Sequence, residues 1–371
     1  MKIATIKEYE HNESRVAITP ESAKKLAKAG FEVCLQKDAG AAAFFANEEY
    51  EKFAKVSSVA LEILADSDII AKVQPPAING ELYECEFAKP GSVIIGFMQP
   101  HQNKKMIEFY AKKKISLLAM DLVPRTTKAQ SFDALSSQAG LMGYRAVTEA
   151  ANLFSRSFSM LMTSAGTISP AKVLVVGAGV AGLAAIAAAK RLGAVVTAYD
   201  VRAASKEQVE SLGAKFIHPD ESLDFSTSSG YAKEVTNDFA QKQDQMFHEK
   251  IDKFDIVILT AMIPGKKAPV IITKSMVEKM PKGSVIVDLA ASTGGNCELT
   301  ERDKIIDFHG ISIIGYSNFA GRIPHDASRL YANNIANLVQ YLYKDRTSLD
   351  LDDDIVKSML LTHDGEILFK S

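Results

Sequence analysis

The sequence predicts an α/β protein of two Rossmann-like doubly wound domains, the first discontinuous, joined by long helices around a cleft. Three observations carry that expectation. Short β-branched runs alternate with amphipathic stretches from the first residues onward; a second such series opens at Val173 with a glycine-rich turn; and a long helical pattern follows it near the carboxyl end. Strands interleaved with helices are joined by crossovers, and crossovers make the strands parallel. At 371 residues the chain exceeds what one core serves comfortably, so two lobes are expected.

In the first series the apolar runs at residues 3–6, 32–35, 69–73, 93–97 and 115–119 read as strands, and residues 20–29 as a helix after the first of them. A long helical segment, residues 137–154, leads out of this lobe. The second series runs from residue 173 through 195–199, 214–217, 256–259, 285–289 and 311–314, the outline of a nucleotide-binding domain. Residues 327–343 form another long helix, expected to pack back onto the first lobe. The expected division is residues 1–135 plus 309–371 for the first domain and 136–308 for the second. Residues 220–250, rich in Ser, Thr, Gln and Lys, are the one long irregular stretch. Loops of such length inside compact domains are functional lids or disordered.

Composition narrows the classes. With 43 basic against 45 acidic residues, a net charge of -2 and a pI near 6.4, there is no basic face for a phosphate backbone, so no nucleic-acid partner is expected. Cys34, Cys85 and Cys297 are far apart and odd in number, which supports neither a disulfide framework nor a metal site. The amino terminus lacks the apolar core of a signal peptide, so a cytoplasmic chain is expected. Residues 173–189 carry no charge over seventeen positions, near the lower limit for crossing a bilayer. They contain three glycines in a phosphate-loop spacing, however, and Lys190 and Arg191 follow at once, so a buried strand entering a buried helix is the better reading.

Gly177-Ala178-Gly179-Val180-Ala181-Gly182 follows the run 173–176 and opens an alanine-rich helix. Gly177 permits the tight turn, Gly179 lets the backbone approach a pyrophosphate, and Gly182 lets helix and strand pack closely, while the helix amino terminus offers free N–H groups. Alone the motif is weak. The discriminating residue is Asp200, 23 positions after Gly177 at the end of the next strand. A carboxylate there accepts from both ribose hydroxyls of adenosine and repels a 2′-phosphate, which selects NAD(H) over NADP(H). Arg202 either stacks over adenine or is a solvated surface charge. Arg125, Lys128, Gln130 and Asp133 gather polar groups at a domain junction, where clefts form, or belong to a solvated linker. Gly294-Gly295 marks either a ligand-binding edge or a plain strand-to-loop turn.

Over nearly its whole length the chain resembles the NAD(H)-binding component of proton-translocating transhydrogenases and, more distantly, alanine dehydrogenase. The most specific matches are Arg125-Thr-Thr-Lys-Ala-Gln130-Ser-Phe-Asp133-Ala-Leu-Ser136-Ser-Gln138, the stretch from Tyr199-Asp200-Val201-Arg202 to Gly213, and Gly230-Tyr231-Ala-Lys-Glu. The resemblance implies that Arg125, Thr126, Thr127, Lys128, Gln130, Asp133 and Ser136 hold the nicotinamide and its ribose, with Gln130 reaching toward the partner nucleotide. It implies that Val201 and Arg202 flank the ribose site, and that Val180, Ala261 and Met262 touch the cofactor. Residues 220–250 become a mobile loop that closes over bound nucleotide, with Gly230, Tyr231 and Gln243 near it. A membrane-spanning component and an NADP(H)-binding component complete such an enzyme, which places this chain as a homodimer, peripheral on the inner membrane.

The alternative, alanine dehydrogenase, shares Glu13-Ser-Arg15-Val-Ala-Ile-Thr-Pro20, so that segment does not separate the two. Two other positions do. Where alanine dehydrogenases resemble a Lys-Val-Lys-Glu-Pro strand end, this chain has Gln74 in place of the second lysine, and Gln99 stands where their catalytic histidine falls. An amino-acid dehydrogenase needs a proton acceptor poised near neutral pH and a cation for the carboxylate. Lys72, Arg15 and His101 are the residues that could be recruited instead. A non-catalytic NAD-binding module is a third reading, and the intact orienting residues Arg125, Gln130, Asp133 and Ser136 argue against it. Hydride exchange between two nicotinamides requires proximity rather than a general base, and proximity of that kind supplies on the order of 7–11 kcal/mol.

Overall fold

The computed structural model describes residues 1–371 apart from 80–81, 221, 226, 228–232, 234, 264, 345–347 and 370–371. The chain forms two compact units, Met1–Gln138 with Gly321–Ser371, and Ala139–Ala320. Each is built on one twisted sheet.

In the first unit the parallel strands lie side by side in the order Ala54–Ser57, Glu32–Gln36, Lys2–Thr5, Ile69–Ala71, Val93–Gly96 and Ser116–Ala119. Two strands from the carboxyl end, Leu360–His363 and Glu366–Ile367, extend the sheet antiparallel beyond Ser116–Ala119. Every residue of Ile69–Ala71, Val93–Gly96 and Ser116–Ala119 is buried, as a sheet covered on both faces demands, which is why these strands read as unbroken apolar runs. The helix Pro20–Lys28 starts at Thr19, whose side chain accepts from the Ser22 amide, and its buried Ala23 and Leu26 face the sheet core. The helix Pro324–Leu342 adds Tyr331, Ile335, Leu338 and Val339 to the same core as Ile3, Leu35 and Ile69. The first core therefore depends on residues more than three hundred positions from its first strand.

The second sheet repeats the order: Lys215–Ile217, Val195–Tyr199, Lys172–Val176, Ile256–Leu259, Val285–Asp288, Ile311–Ile314, all parallel, then Ile305–Phe308 antiparallel at the edge. The chain order reverses between Lys172–Val176 and Ile256–Leu259. At that switch point adjacent connections leave in opposite directions and open a crevice at the carboxyl ends of the strands.

Two expectations are corrected. The second unit runs to Ala320 rather than residue 308, because Ile311–Ile314 pairs in parallel with Val285–Asp288 and belongs to the second sheet. It begins at Ala139 rather than 136, inside the continuous helix Ala134–Leu153, where no local signal marks a boundary. The irregular stretch is also shorter than residues 220–250, since Asn237–Lys250 is helical. Thr236 caps that helix by accepting from the Phe239 amide, and Phe239, Met246 and Phe247 recur on one buried face, a pattern that the polar residues between them concealed.

Candidate functional site

The glycine-rich turn sits at the switch point of the second unit, between Lys172–Val176 and the helix Val180–Arg191, whose amino terminus has Gly179 as its cap and no side-chain acceptor. The three glycines differ in what they are for. Gly177 lies at φ +96°, and a Cβ there would stand 2.5 Å from Thr260 Oγ1. At Gly182 a Cβ would lie 1.8 Å from the Gly177 carbonyl oxygen, so the helix could not approach the turn. A Cβ on Gly179 meets no described atom within 4 Å. The folded chain makes no demand for glycine at 179, which leaves close approach by a ligand as the physical reason for it.

Asp200 follows the strand Val195–Tyr199 and is buried. Its Oδ2 accepts from the Ala178 amide at 2.6 Å, which ties the glycine turn to the end of the neighbouring strand. Arg202 is neither stacked in the open nor a freely solvated charge. Its amide and Nε both donate to Asp200 Oδ1 at 2.8 Å, and its Nη2 donates to Oδ2 at 2.7 Å. The hydrogen bonds to Asp200 hold the guanidinium firmly protonated.

Around this pair the elements interlock. Buried Tyr199 donates to Gln243 Oε1 at 2.5 Å, so Gln243 anchors Asn237–Lys250 to the nucleotide-side strand. His218 Nδ1 accepts from the Asp220 amide at 3.2 Å and its Nε2 lies 3.3 Å from the Val201 carbonyl. Val180 and Met262 are apolar yet 44% and 42% exposed at the same sheet edge, surface that a cofactor could cover. Ala261 is held by Asn296, which accepts from its amide at 3.0 Å and donates to its carbonyl at 2.8 Å. Gly230 and Tyr231 lie outside the described residues.

Sequence reasoning missed three residues that shape this edge. Thr260 Oγ1 lies 3.1 Å from both the Val176 and Gly177 carbonyl oxygens. Asn296 is fully buried, and Asp288, also fully buried, accepts from the Ala290, Asn296 and Cys297 amides and the Thr300 hydroxyl at 2.9, 2.7, 3.0 and 2.7 Å. Gly294-Gly295 was the available signal: Gly295 has φ +81° and a Cβ there would stand 2.9 Å from Asp288 Oδ2.

In the first unit the segment matched by resemblance is a 3-10 helix, Thr127–Phe132, held by buried Ala129 and Phe132 and by Asn334 donating to the Ser131 carbonyl at 2.9 Å. Arg125, Thr126, Thr127, Lys128 and Gln130 are exposed. Lys128 pairs with Asp353 at 3.2 Å. Asp133 caps the helix Ala134–Leu153, its Oδ1 accepting from the Ser136 amide at 2.9 Å and its Oδ2 from the Ser136 hydroxyl at 2.6 Å, so these two side chains are fixed by one another.

The residues an amino-acid dehydrogenase could recruit are already committed. Lys72 is fully buried between Glu8 at 2.8 Å and Glu84 at 2.5 Å. Against the desolvation of burial, both carboxylates hold the ammonium above its ordinary range. Arg15 is clamped by Glu13 at 2.7 and 2.8 Å and by Gln138 at 2.9 Å. Gln74 donates to Glu13 at 2.7 Å, and His101 packs edge-on against Phe369.

Comparison with known proteins fits this geometry. Residues 4–142 match the alanine dehydrogenase/PNT N-terminal domain and residues 146–370 the alanine dehydrogenase/PNT C-terminal domain. The chain is 51% identical over 369 residues to the first of the polypeptides that make up NAD(P) transhydrogenase subunit alpha in Rickettsia prowazekii, covering 99% of this chain and 96% of the relative. A solved transhydrogenase from Sinorhizobium meliloti superposes with a TM-score of 0.86 at 41% identity, over 99% of this chain and 98% of that one. Alanine dehydrogenase 1 of Staphylococcus aureus is 26% identical over 377 residues, covering 99% of this chain and 94% of the relative.

Proposed function

The chain belongs to the alanine dehydrogenase/PNT family, standing with the NAD(P) transhydrogenase alpha subunits and apart from the alanine dehydrogenases, and from that premise we propose that it binds NAD(H) and exchanges hydride with NADP(H) held by a partner component. It is an oxidoreductase subunit. The observation that carries the choice of NAD(H) is Asp200, a buried carboxylate bonded to the glycine turn, where a ribose diol is accepted and a 2′-phosphate repelled.

The residues present fit such a cofactor. Gly179 leaves room for a pyrophosphate, the turn amides and the helix amino terminus favour its charge, and exposed Val180 and Met262 offer apolar surface beside Ala261. The bound dihydronicotinamide supplies the hydride, a proton with two electrons moving as one unit to the acceptor ring, so no other bond needs a proton added or removed. The chain accordingly needs orientation, not a general base. We assign orientation of the ring and its ribose to Arg125, Thr126, Thr127, Lys128, Gln130, Asp133 and Ser136, on the resemblance of that segment and on the fixed Asp133–Ser136 pair. Gln243 supports the strand that carries Asp200, and Gly230 and Tyr231 are assigned to the loop that covers the nucleotide.

No described helix is long and apolar enough to cross a membrane. We assign proton translocation to a membrane-spanning partner, and place this chain as a homodimer, peripheral on the inner membrane and facing the cytoplasm.

Fluorescence titration of the purified chain with NADH and with NADPH tests the site, and NADPH formation from NADH after adding a transhydrogenase NADP(H)-binding component tests the activity. Tighter binding of NADH and transfer only with that component are expected. Equal affinity for NADPH would remove the role given to Asp200, and turnover with pyruvate and ammonia would return the chain to the amino-acid dehydrogenases.

A further inference from the structure

Asp200 has no acceptor position to spare. A carboxylate offers about four lone-pair directions, and the chain itself fills all of them: the Ala178 amide at 2.6 Å, the Arg202 amide and Nε at 2.8 Å each, and Arg202 Nη2 at 2.7 Å. The pair is sheltered together, the Arg202 side chain 18% exposed and that of Asp200 6%. A ribose diol needs two of these positions. The Ala178 and Arg202 amides belong to the glycine turn and the strand end, so they cannot withdraw without unmaking the turn. Nε and Nη2 stand on a flexible side chain and can.

We propose that Arg202 is a displaceable occupant of the adenosine-ribose subsite, its guanidinium leaving Asp200 when the 2′- and 3′-hydroxyls arrive, and that it thereby sets how tightly the chain holds NAD(H). The inference rests on the nucleotide reading of Asp200 given above. Until the diol docks, Arg202 neutralises a carboxylate that burial would otherwise strand. The exchange replaces two charge-assisted hydrogen bonds with two from neutral hydroxyls, so it opposes binding and favours release. The departing charge has somewhere to go. Asp224, in the segment that follows Lys215–Ile217, is the other carboxylate acting on the Arg202 guanidinium, so displacement shifts the cation's pairing from the strand end to that segment.

The test measures dissociation constants of NADH, AMP and 2′,3′-dideoxy-AMP for the wild-type chain, Arg202→Met and Asp224→Asn, with thermal melting to confirm folding. Arg202→Met is expected to bind NADH and AMP about tenfold more tightly, with no change for dideoxy-AMP, which has no hydroxyl to compete for Asp200. Asp224→Asn is expected to weaken NADH binding in the wild-type background and to do nothing in the Arg202→Met background, since the displaced cation is then gone. Unchanged or weaker binding of NADH and AMP by folded Arg202→Met overturns the displacement while leaving the nucleotide site standing. An equal gain for dideoxy-AMP overturns it too, because the effect would then be unrelated to the diol. Failure of the wild-type chain to bind NADH at all removes the nucleotide reading and this inference with it.

Discussion

The side-chain amide of Gln99 donates to the side-chain oxygen of Gln74 at 3.4 Å, joining the two positions at which the sequence departs from alanine dehydrogenases. Gln74 is bonded onward to Glu13, which clamps Arg15. Neither glutamine carries a proton across neutral pH, and the guanidinium is occupied. The wild-type chain should therefore show no NADH oxidation with pyruvate and ammonia, and Gln99→His alone should not create it, since Arg15 stays paired. A measurable amination rate in that single variant would show that Glu13 gives up Arg15 to a substrate carboxylate.

Two glycines three positions apart should respond oppositely to alanine. Gly182→Ala forces a Cβ to 1.8 Å from a backbone oxygen and should lower stability by about 1–3 kcal/mol, read by urea denaturation. Gly179→Ala meets no described atom within 4 Å and should melt like the wild type while losing about tenfold or more in NADH affinity. Unaltered affinity in Gly179→Ala would mean that no ligand approaches that backbone.

Lys72→Met leaves Glu8 and Glu84 facing one another without their shared cation. Removing one member of a buried ion cluster costs about 3–5 kcal/mol, and chemical denaturation should show a loss of that order. The triple variant Lys72→Met, Glu8→Gln, Glu84→Gln should recover most of it, because the stranded charges go with the cation.

Acid should weaken the first unit through Glu13. Its burial acts to raise its pKa, but Arg15 and Gln74 overcome that and hold it below the ordinary carboxylate range. A depressed folded pKa stabilises fully above the unfolded value of about 4.3 and is lost as pH falls through the folded one. The stability gap between the wild type and Glu13→Gln should thus be constant near neutrality and close below about pH 4. A gap that widened on acidification would reverse the assignment.

Gln130→Asn shortens an exposed side chain by one methylene without touching the buried Ala129 and Phe132 that hold its helix. Hydride transfer to the partner component should fall by about tenfold or more while NADH affinity changes little. Equal losses in both would make Gln130 a binding residue rather than an orienting one.

Much of the site was legible because its chemistry is local. Gly177, Gly179, Gly182 and Asp200 are set by one strand, one turn and the next strand end, and their spacing is the geometry. Arg202 was left open between two readings because its partner was already assigned to a ligand, and sequence spacing does not say that a residue two positions away takes the same acceptor. Asn296 and Asp288 were missed because they act on backbone atoms, which no side-chain motif records. The domain boundary moved for a related reason. Ile311–Ile314 resembles any apolar strand, and only its pairing with Val285–Asp288 decides which sheet owns it.

Asp288 holds three amides and a hydroxyl from the twelve residues that follow it. Those protons share a single acceptor group, so none can exchange with solvent on its own while the carboxylate stays in place. Deuterium should enter Ala290, Asn296 and Cys297 in one correlated step, which makes this rim of the crevice a unit that opens whole or not at all.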